Sequence, residues 1–371
     1  MRIGVMLRAV RGKGGVGLYT MNILKNLLKI DKDNQYILFY QGKKRKTSFS
    51  GYPNVEEQWI NVPYKILWDQ IFIPLLALRT RVDLLFSPKW TAPLLSTCKI
   101  LMVVHGSECY IYPEFYKLRD ILYLKIMIPL YLWRAAKTIV VSGKSKDDIV
   151  KFTGANRSKI VVVYLAAEDI FTEPIDSVFV GRVKAKYVLP SKFILHVGMV
   201  YPGKNIERLI QAFAKLVEKF PHKLVLVGGF KWKYTRIFDL IEKLNLKDKV
   251  IMIKWVSHSE LRVFYKLADL LIFPSFYESF PAPPLEAMSC GCPVVTSSTG
   301  GTPEVVGDAA LMVDPTSVNE IYRAAVKVLE DEALKAKLVS KGFAQAKNFS
   351  WEESARKTLS IFKEIIKGKE I

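Results

Sequence analysis

The sequence feature that most constrains the fold is a stretch that places two glutamates in a strand–loop–helix–strand pattern. Residues 273–295 read FPSFYESFPAPPLEAMSCGCPVV. Glu278 lies in the loop after the apolar run ADLLIF, and Glu286 falls in the first turn of a short helix that a Pro-Pro dipeptide can start. Gly291 suits the left-handed position after that helix. The pattern predicts two carboxylates above the strand ends, where they can accept hydrogen bonds from sugar or ribose hydroxyls, beside open helix amides that suit a phosphate.

Taken alone, these two acids have an equally good structural explanation. Glu286 can complement the dipole at the start of its helix, and Glu278 can be a solvated loop charge. The rest of the chain has to decide between the two interpretations.

Length and charge limit the class of protein. A chain of 371 residues is long for one core and predicts two domains. Half of its residues are hydrophobic, which argues against disorder. The net charge of +20 favours anionic partners, which include nucleotide diphosphates, acidic membrane surfaces and nucleic acid.

The cysteines and the apolar runs predict a cytoplasmic protein. Cys98, Cys109, Cys290 and Cys292 are too few for a disulfide framework in a chain of this size, and the C-x-C pair is not a zinc spacing. We therefore expect all four to be reduced. The apolar start RIGVML is too short for a signal peptide, and no run reaches the roughly 18 apolar residues of a membrane span.

A glycine-rich loop follows the first predicted strand. The segment RGKGGVG precedes a helical pattern and includes Gly14, Gly15 and Gly17. Such a loop lets backbone approach a phosphate, although it can also be only a tight turn. Its spacing is not that of a dinucleotide fingerprint, which argues against a nicotinamide-dependent oxidoreductase.

Two further polar residues follow buried strands. His105 ends KILMVVHG, at the strand exit where parallel sheets bind ligands, although it can also simply bond a neighbouring carbonyl. Lys204 comes just before a helix in FILHVGMVYPGKN, and a lysine there is the expected point charge for a diphosphate. His196 lies within the strand, and we assign it to the core.

The segment from Lys117 to Lys159 is basic and contains tyrosine and tryptophan. This pattern suits a helix lying on an anionic membrane surface. It suits an ordinary solvated helix equally well.

The E-x7-E stretch, its extension GGTPEVVGDAALMVDP and the segment VGMVYPGKN resemble the group 1 (family 4) retaining glycosyltransferases. The similarity runs from the GGVG segment to the last helix. It implies the GT-B fold, an α/β architecture of two Rossmann-like domains facing across a cleft. The implied domains are an acceptor-side domain at residues 1–175, a nucleotide-sugar domain at 176–350 and a last helix at 351–371 that packs back on the first. We expect the linker within Asp169–Ser191, which contains two prolines and a glycine.

The same resemblance implies a site and its ligands. It assigns catalytic roles to His105 and Glu278, and donor binding to Gly14, Gly15, Gly17, Lys204, Phe280 and Glu286. It implies a nucleotide-diphosphate sugar as substrate, with GDP-mannose favoured, and neither a cofactor nor a metal. The acceptor is expected to be a glycan or a lipid-linked sugar of cell-surface polysaccharide, reached from the cytoplasm at the inner face of the membrane.

This chain departs from the family pattern at the expected diphosphate site. Many relatives carry an arginine where Met199 or Gly203 stands here, so Lys204 is alone unless Arg11, Lys13, Lys231 or Lys233 compensates. Relatives often have glycine where Pro281 stands, and proline removes an amide donor. An inactive family member is therefore one alternative. The positive net charge leaves a basic nucleic-acid-binding protein as another, although no nucleic-acid motif is present.

Overall fold

The computed structural model of the chain describes residues 1–8, 14–43, 49–230 and 234–368. The chain forms two compact units, of which the first comprises Met1–Leu165 with Ser350–Ile371 and the second Ala166–Phe349. The segment Asp169–Ser191, for which the sequence predicts a linker, belongs to the second unit. Its Phe171 and Val183 are buried in the core of that unit, and this burial makes the segment part of the fold instead of a connection.

The described part of the first unit contains a parallel sheet with the strand order β3-β2-β1-β4-β5-β6-β7. The strands are mostly short apolar runs, as expected for a sheet covered on both faces. They are β1 (Arg2–Met6), β2 (Gln35–Gln41), β3 (Val55–Ile60), β4 (Leu84–Ser87), β5 (Lys99–Val104), β6 (Lys137–Val140) and β7 (Ile160–Val162). The helices before residue 165 are α1 (Gly15–Ile30), α2 (Lys65–Leu67), α3 (Ile73–Arg79), α4 (Glu108–Ile111), α5 (Leu118–Arg134) and α6 (Gly143–Thr153). A π-helical turn, Trp68–Phe72, joins α2 to α3.

The second unit repeats this architecture. Its described residues form a parallel sheet with the order β10-β9-β8-β11-β12-β13. The strands are β8 (Phe193–Val197), β9 (Lys223–Val227), β10 (Val250–Ile253), β11 (Leu270–Phe273), β12 (Val294–Ser297) and β13 (Leu311–Val313). The helices are α7 (Ser177–Tyr187), α8 (Ile206–Leu216), α9 (Thr235–Lys243), α10 (His258–Leu267), α11 (Ala282–Ser289), α12 (Thr302–Val306), α13 (Val318–Glu330) and α14 (Glu332–Ala346).

The last helix, α15 (Trp351–Lys367), is part of the first unit. It packs along α1 and against β5. The Phe362 ring meets Phe86 edge-on at 5.4 Å, and Ser354 Oγ donates to the Tyr164 carbonyl at 2.6 Å. The apolar face of this helix is therefore used to cover one face of the first sheet.

Within the described ranges, no helix has the length and apolar character needed to cross a bilayer. All four cysteines are free thiols.

Candidate active site

Lys204 and Glu278 meet in the second unit. Lys204 ends the turn Pro202–Lys204 between β8 and α8, and Glu278 lies in the loop between β11 and α11. The lysine ammonium donates to Glu278 Oε1, and both side chains are 13% exposed. The ammonium also lies 5.0 Å from the centre of the Phe273 ring. The structure therefore brings two of the predicted site residues into one largely dehydrated ion pair.

Backbone hydrogen bonds hold the two loops that carry this pair. The Phe276 amide donates to the Gly203 carbonyl at 3.0 Å, and the Gly301 amide donates to the Glu278 carbonyl at 2.7 Å. Gly300 has φ +65°, and a Cβ there would overlap the Glu278 backbone. Glycine is required at this position for both reasons. The position of Glu278 thus depends on the GGTPEVVG turn as well as on its own loop.

His196 lies in the core beneath this ion pair, as the sequence predicted. It is 1% exposed, and its Nδ1 lies 2.9 Å from the Ile272 carbonyl. A carbonyl can only accept, so Nδ1 carries the proton and Nε2, which has no partner among the described residues, is a free acceptor. Burial lowers the pKa of His196 to about 4, and the positive charge of Lys204 acts in the same direction.

Glu286 belongs to a separate polar cluster. The Tyr265 hydroxyl donates to its Oε2 at 2.8 Å. His258 is paired with Glu168, and this pairing raises the pKa of His258. Burial raises the pKa of Glu286, whereas the charge of His258 and the Tyr265 hydrogen bond oppose that rise. This environment keeps one carboxylate oxygen engaged and leaves Oε1 to accept from a ligand.

Tyr265, His258 and Glu168 belong to no motif in the sequence that marks them as site residues. The available signal was the seven-residue spacing of His258 and Tyr265, which places both on one face of helix α10. Glu168 had no such signal, because it is far from the other two in the chain.

Two expectations about helix α11 were wrong. Glu286 is the fifth residue of the helix and lies in its second turn, because the helix already begins at Ala282. The helix start also lacks open amides, since residues 281, 283 and 284 are prolines without an N–H. The Ala282 amide donates to the Phe280 carbonyl at 3.0 Å, and the Leu285 amide is directed at the Pro281 carbonyl at 3.5 Å.

The Phe280 side chain packs inside the second unit. It is 9% exposed, and its ring meets Phe349 edge-on at 5.7 Å. A contact with a donor would therefore come from its backbone.

His105 follows β5 in the first unit. Its Nε2 lies 2.9 Å from the Pro88 carbonyl, and its ring meets Tyr19 edge-on at 4.8 Å. Burial lowers the pKa of His105 to about 4, so the ring is neutral near pH 7. Because the carbonyl accepts, Nε2 carries the proton and Nδ1 is a hydrogen-bond acceptor. The structural alternative for His105, a hydrogen bond to a neighbouring carbonyl, is thus observed. This hydrogen bond fixes the tautomer of the ring.

The glycine loop begins helix α1. Gly14 is its N-cap, Gly15 is its first residue, and the Gly17 amide donates to the Gly14 carbonyl at 2.9 Å. A Cβ at Gly14 or Gly15 would meet no described atom within 4 Å, so packing within the described chain does not require glycine at either position. This open surface suits close approach by a ligand.

The structure describes the positions where relatives carry the arginine, Met199 and Gly203, but not the four residues that could replace it. Arg11, Lys13, Lys231 and Lys233 lie outside the described residues. A Cβ at Gly203 would lie 2.7 Å from the Tyr201 ring, so an arginine there would require that ring to move. Met199 is 38% exposed, and a longer cation would fit at that position.

No group of three or more His, Cys, Asp or Glu residues is arranged to hold a metal in the parts of the chain described by the structure. The expectation of metal-free transfer remains a prediction.

Two parallel Rossmann-like sheets are the architecture of the GT-B fold, which the family resemblance implied. The comparisons agree. Residues 181–345 match the family described as Glycosyl transferases group 1. The chain is 31% identical over 262 residues to the O-antigen chain mannosyltransferase B of Escherichia coli. The aligned region covers 70% of this chain and 68% of that protein. The chain therefore belongs to the group 1 glycosyltransferase family.

Two further proteins are similar to this chain, one over part of its length and one in fold. The serotype-specific mannosyltransferase WbdA of Escherichia coli is 30% identical over 63% of this chain, which spans only 29% of that longer protein. The crystal structure of Anabaena Alr3699/HepE in complex with UDP and glucose superimposes with a TM-score of 0.79. It has 18% identity over 98% of this chain and 100% of that chain, so this likeness concerns the fold.

Proposed function

We propose that this glycosyltransferase transfers a hexose, with retention, from a nucleotide-diphosphate sugar to a glycan or lipid-linked acceptor of cell-surface polysaccharide. The favoured donor is GDP-mannose, because the similar Escherichia coli proteins are named mannosyltransferases. The observation that carries the proposal is the dehydrated pair of Lys204 and Glu278 at the carboxyl ends of β8 and β11.

Lys204 stabilises the leaving group in this mechanism. Cleavage of the sugar–phosphate bond builds negative charge on the diphosphate, and a cation in a dehydrated site stabilises such charge more strongly than in water. The start of α11 offers few amide donors, so Lys204 carries this role in the second unit. The family resemblance also assigns Gly14, Gly15 and Gly17 to donor binding and implies no metal ion. Glu278 keeps Lys204 in place and contacts the sugar.

Glu286 and His105 bind hydroxyl groups. Because Tyr265 engages Oε2 of Glu286, its Oε1 accepts from the ribose. His105 is neutral with a free Nδ1, so it accepts a hydrogen bond from a sugar hydroxyl and adds no charge beside the positive centre that develops at the sugar.

The direct test is calorimetry of the full chain with GDP-, UDP- and ADP-sugars, followed by transfer assays with and without EDTA. We expect GDP-mannose to bind most tightly and transfer to stay within about twofold when EDTA is added, because no step uses a bound metal. Failure of every nucleotide sugar to bind would indicate an inactive family member, and tighter binding of a UDP-sugar would replace the proposed donor.

The first unit also has a surface suited to a membrane, where such acceptors occur. Helices α3 and α5 pack on the same core cluster, which contains Ala77 and Ile128. Large apolar residues of these helices and their flanks are exposed: Tyr64, Ile66, Leu75, Leu78, Leu118, Leu122, Ile126 and Trp133. Lysine and arginine are interspersed among them, as in helices that lie on anionic lipid. We include peripheral binding to the cytoplasmic face of the membrane in the proposal.

A further inference from the structure

A buried cluster of charges lies at the carboxyl edge of the first sheet. Arg8 follows β1, Lys89 follows β4, and Asp69 lies in the π-helical turn before α3. Arg8 Nη2 donates to Asp69 Oδ2 at 2.8 Å, and Lys89 Nζ lies 3.1 and 3.2 Å from the two carboxylate oxygens. The side chains of Arg8, Asp69 and Lys89 are 17%, 6% and 6% exposed.

The cluster has more positive than negative charge. One carboxylate faces two cations, and Lys65 adds a third positive charge that acts on Lys89. Burial and the charges of Arg8 and Lys65 lower the pKa of Lys89 to about 8, against the opposing effect of Asp69. Arg8 Nε is buried and has no partner among the described residues. Buried charge is costly unless it is compensated, so the site lacks one anion.

The surroundings of the cluster indicate what kind of anion would fit. Pro88, whose carbonyl contacts His105, directly precedes Lys89, so the cluster adjoins a proposed sugar-binding residue. The π-helical turn also carries the exposed side chains of Ile71 and Phe72, and single π-helical turns are frequent at functional sites. A charged group and an apolar chain can therefore be bound by one short segment.

We propose that the cluster of Arg8, Asp69 and Lys89 binds the phosphate of a lipid-linked acceptor, whose hydrocarbon chain lies against Ile71, Phe72 and Leu75. This inference rests on the proposed glycosyltransferase function and specifies its acceptor as a lipid phosphate or diphosphate. The anion supplies the missing negative charge beside the Arg8 guanidinium, whose side chain is 17% exposed. Asp69 orients both cations before the acceptor binds.

Calorimetry of the full chain with farnesyl diphosphate, inorganic pyrophosphate and farnesol tests the proposal. Saturating GDP is present to occupy the nucleotide site. We expect farnesyl diphosphate to bind more tightly than pyrophosphate, and farnesol to bind weakly. Arg8→Gln should weaken binding of both diphosphates about tenfold, the loss expected for a charged hydrogen bond. Unchanged binding by this variant overturns the proposal.

Further variants separate this site from the donor site and from a structural role. Lys204→Met should weaken binding of GDP and, at a GDP concentration raised until the nucleotide site is again occupied, leave farnesyl diphosphate binding unchanged. Asp69→Asn should tighten pyrophosphate binding, because it removes the competing carboxylate, and an unchanged or lower affinity contradicts an anion site at these two cations. If Arg8→Gln does not fold, Lys89→Met provides the same test.

The last arms identify the source of the phosphate. Ile71→Ser with Phe72→Ser should abolish the advantage of farnesyl diphosphate over pyrophosphate, and the exposed Val178→Ser in the second unit is the control. Soluble short-chain phosphatidylglycerol that displaces farnesyl diphosphate in the absence of vesicles would show a general anionic-lipid site and overturn the acceptor assignment. Failure of these tests with intact transfer activity would leave the proposed function standing.

Discussion

Lys204 and Glu278 are 74 residues apart in the chain and form one ion pair in the fold. Each residue of this pair reduces the net charge that the other presents to a ligand. The carboxylate neutralises the cation while no ligand is bound, and a diphosphate must share the ammonium with it. Mutating the two glutamates should therefore have different consequences, because only Glu286 lies outside this pair.

Glu286→Ala should weaken nucleotide binding by roughly 10- to 100-fold, since a charged hydrogen bond contributes about 1.5–3 kcal/mol. Glu278→Ala should mainly lower turnover, because it removes the group that positions Lys204 and the sugar. Nucleotide titration and steady-state kinetics distinguish the two effects. Tyr265→Phe is the control for Glu286, and it should reproduce part of the loss in affinity. Unperturbed kinetics in both glutamate variants would refute these roles.

His196 should make the second unit sensitive to acid. Its pKa is about 4 in the folded state, against 6.5 for an ordinary histidine, so the unfolded chain binds the proton more readily. Its contribution is complete above pH 6.5 and is lost as the pH falls toward 4, on the order of 3 kcal/mol in total. Denaturant unfolding between pH 7 and about 4 should show a smaller decline for His196→Asn than for the parent.

His258→Asn is the control, because the shift has the opposite sign. The folded-state pKa of His258 is raised by Glu168, so this pair stabilises the fold below the ordinary histidine pKa. That contribution is lost as the pH rises through the folded-state pKa. Parallel acid declines in the parent and His196→Asn would contradict the assignment of the low pKa.

Single residues were predictable where they follow a strand or belong to a family motif. Lys204, Glu278 and His105 all occupy strand exits, which the sequence indicates directly. Their charge state was not predictable, because it depends on partners distant in the chain. The Pro88 carbonyl fixes the tautomer of His105, and Tyr265 engages one oxygen of Glu286.

At the level of elements, helix α11 differs most from expectation. Its prolines were interpreted as a helix start that offers amides to a phosphate. The same prolines remove the amides, and the Ala282 amide is engaged by the Phe280 carbonyl. The sequence already shows these prolines. Their missing N–H groups affect phosphate binding more than their favourable φ does.

Pro281→Gly should therefore tighten nucleotide-diphosphate binding roughly tenfold, because it restores one amide donor at the start of α11. It should also lower the free energy of unfolding by about 0.5–1 kcal/mol through added freedom of the unfolded chain. Calorimetry with GDP and denaturant unfolding measure the two effects.

Pro190→Gly is the matched control for the entropic effect. It lies in the loop before β8 and should lower stability without changing GDP affinity. Equal GDP affinity in Pro281→Gly and the parent would mean that the start of α11 does not face the diphosphate.

At the scale of the whole molecule, most of the fold was predictable. The short apolar runs and helical patterns predicted the individual strands and helices, and the family resemblance implied that they form two Rossmann-like domains. The boundary of the second unit was harder to predict from the sequence, because Pro174, Gly181 and Pro190 are typical of a linker. The burial of Phe171 and Val183 shows that the segment belongs to the fold. The cluster of Arg8, Asp69 and Lys89 was not found, because its members come from three segments that no motif connects.

The intact protein should bind vesicles of phosphatidylglycerol more tightly than vesicles of phosphatidylcholine. Apolar side chains exposed on α3 and α5 insert at the interface, and neighbouring lysines and arginines add about 1 kcal/mol each near an anionic surface. Sedimentation with the two vesicle types measures the difference. Leu75→Ser with Leu78→Ser should release the protein, whereas Val178→Ser should not. Equal binding to both vesicle types would contradict an electrostatic contribution.

The discontinuous first unit has a consequence for synthesis on the ribosome. Residues 166–349 form one continuous compact unit, whereas the first unit needs α15, which follows that unit in the sequence, to cover α1. During translation the later unit is therefore complete before the earlier one. The buried faces of Tyr19 and Phe86 must wait for Trp351 and Phe362, which are made only after the whole of the second unit.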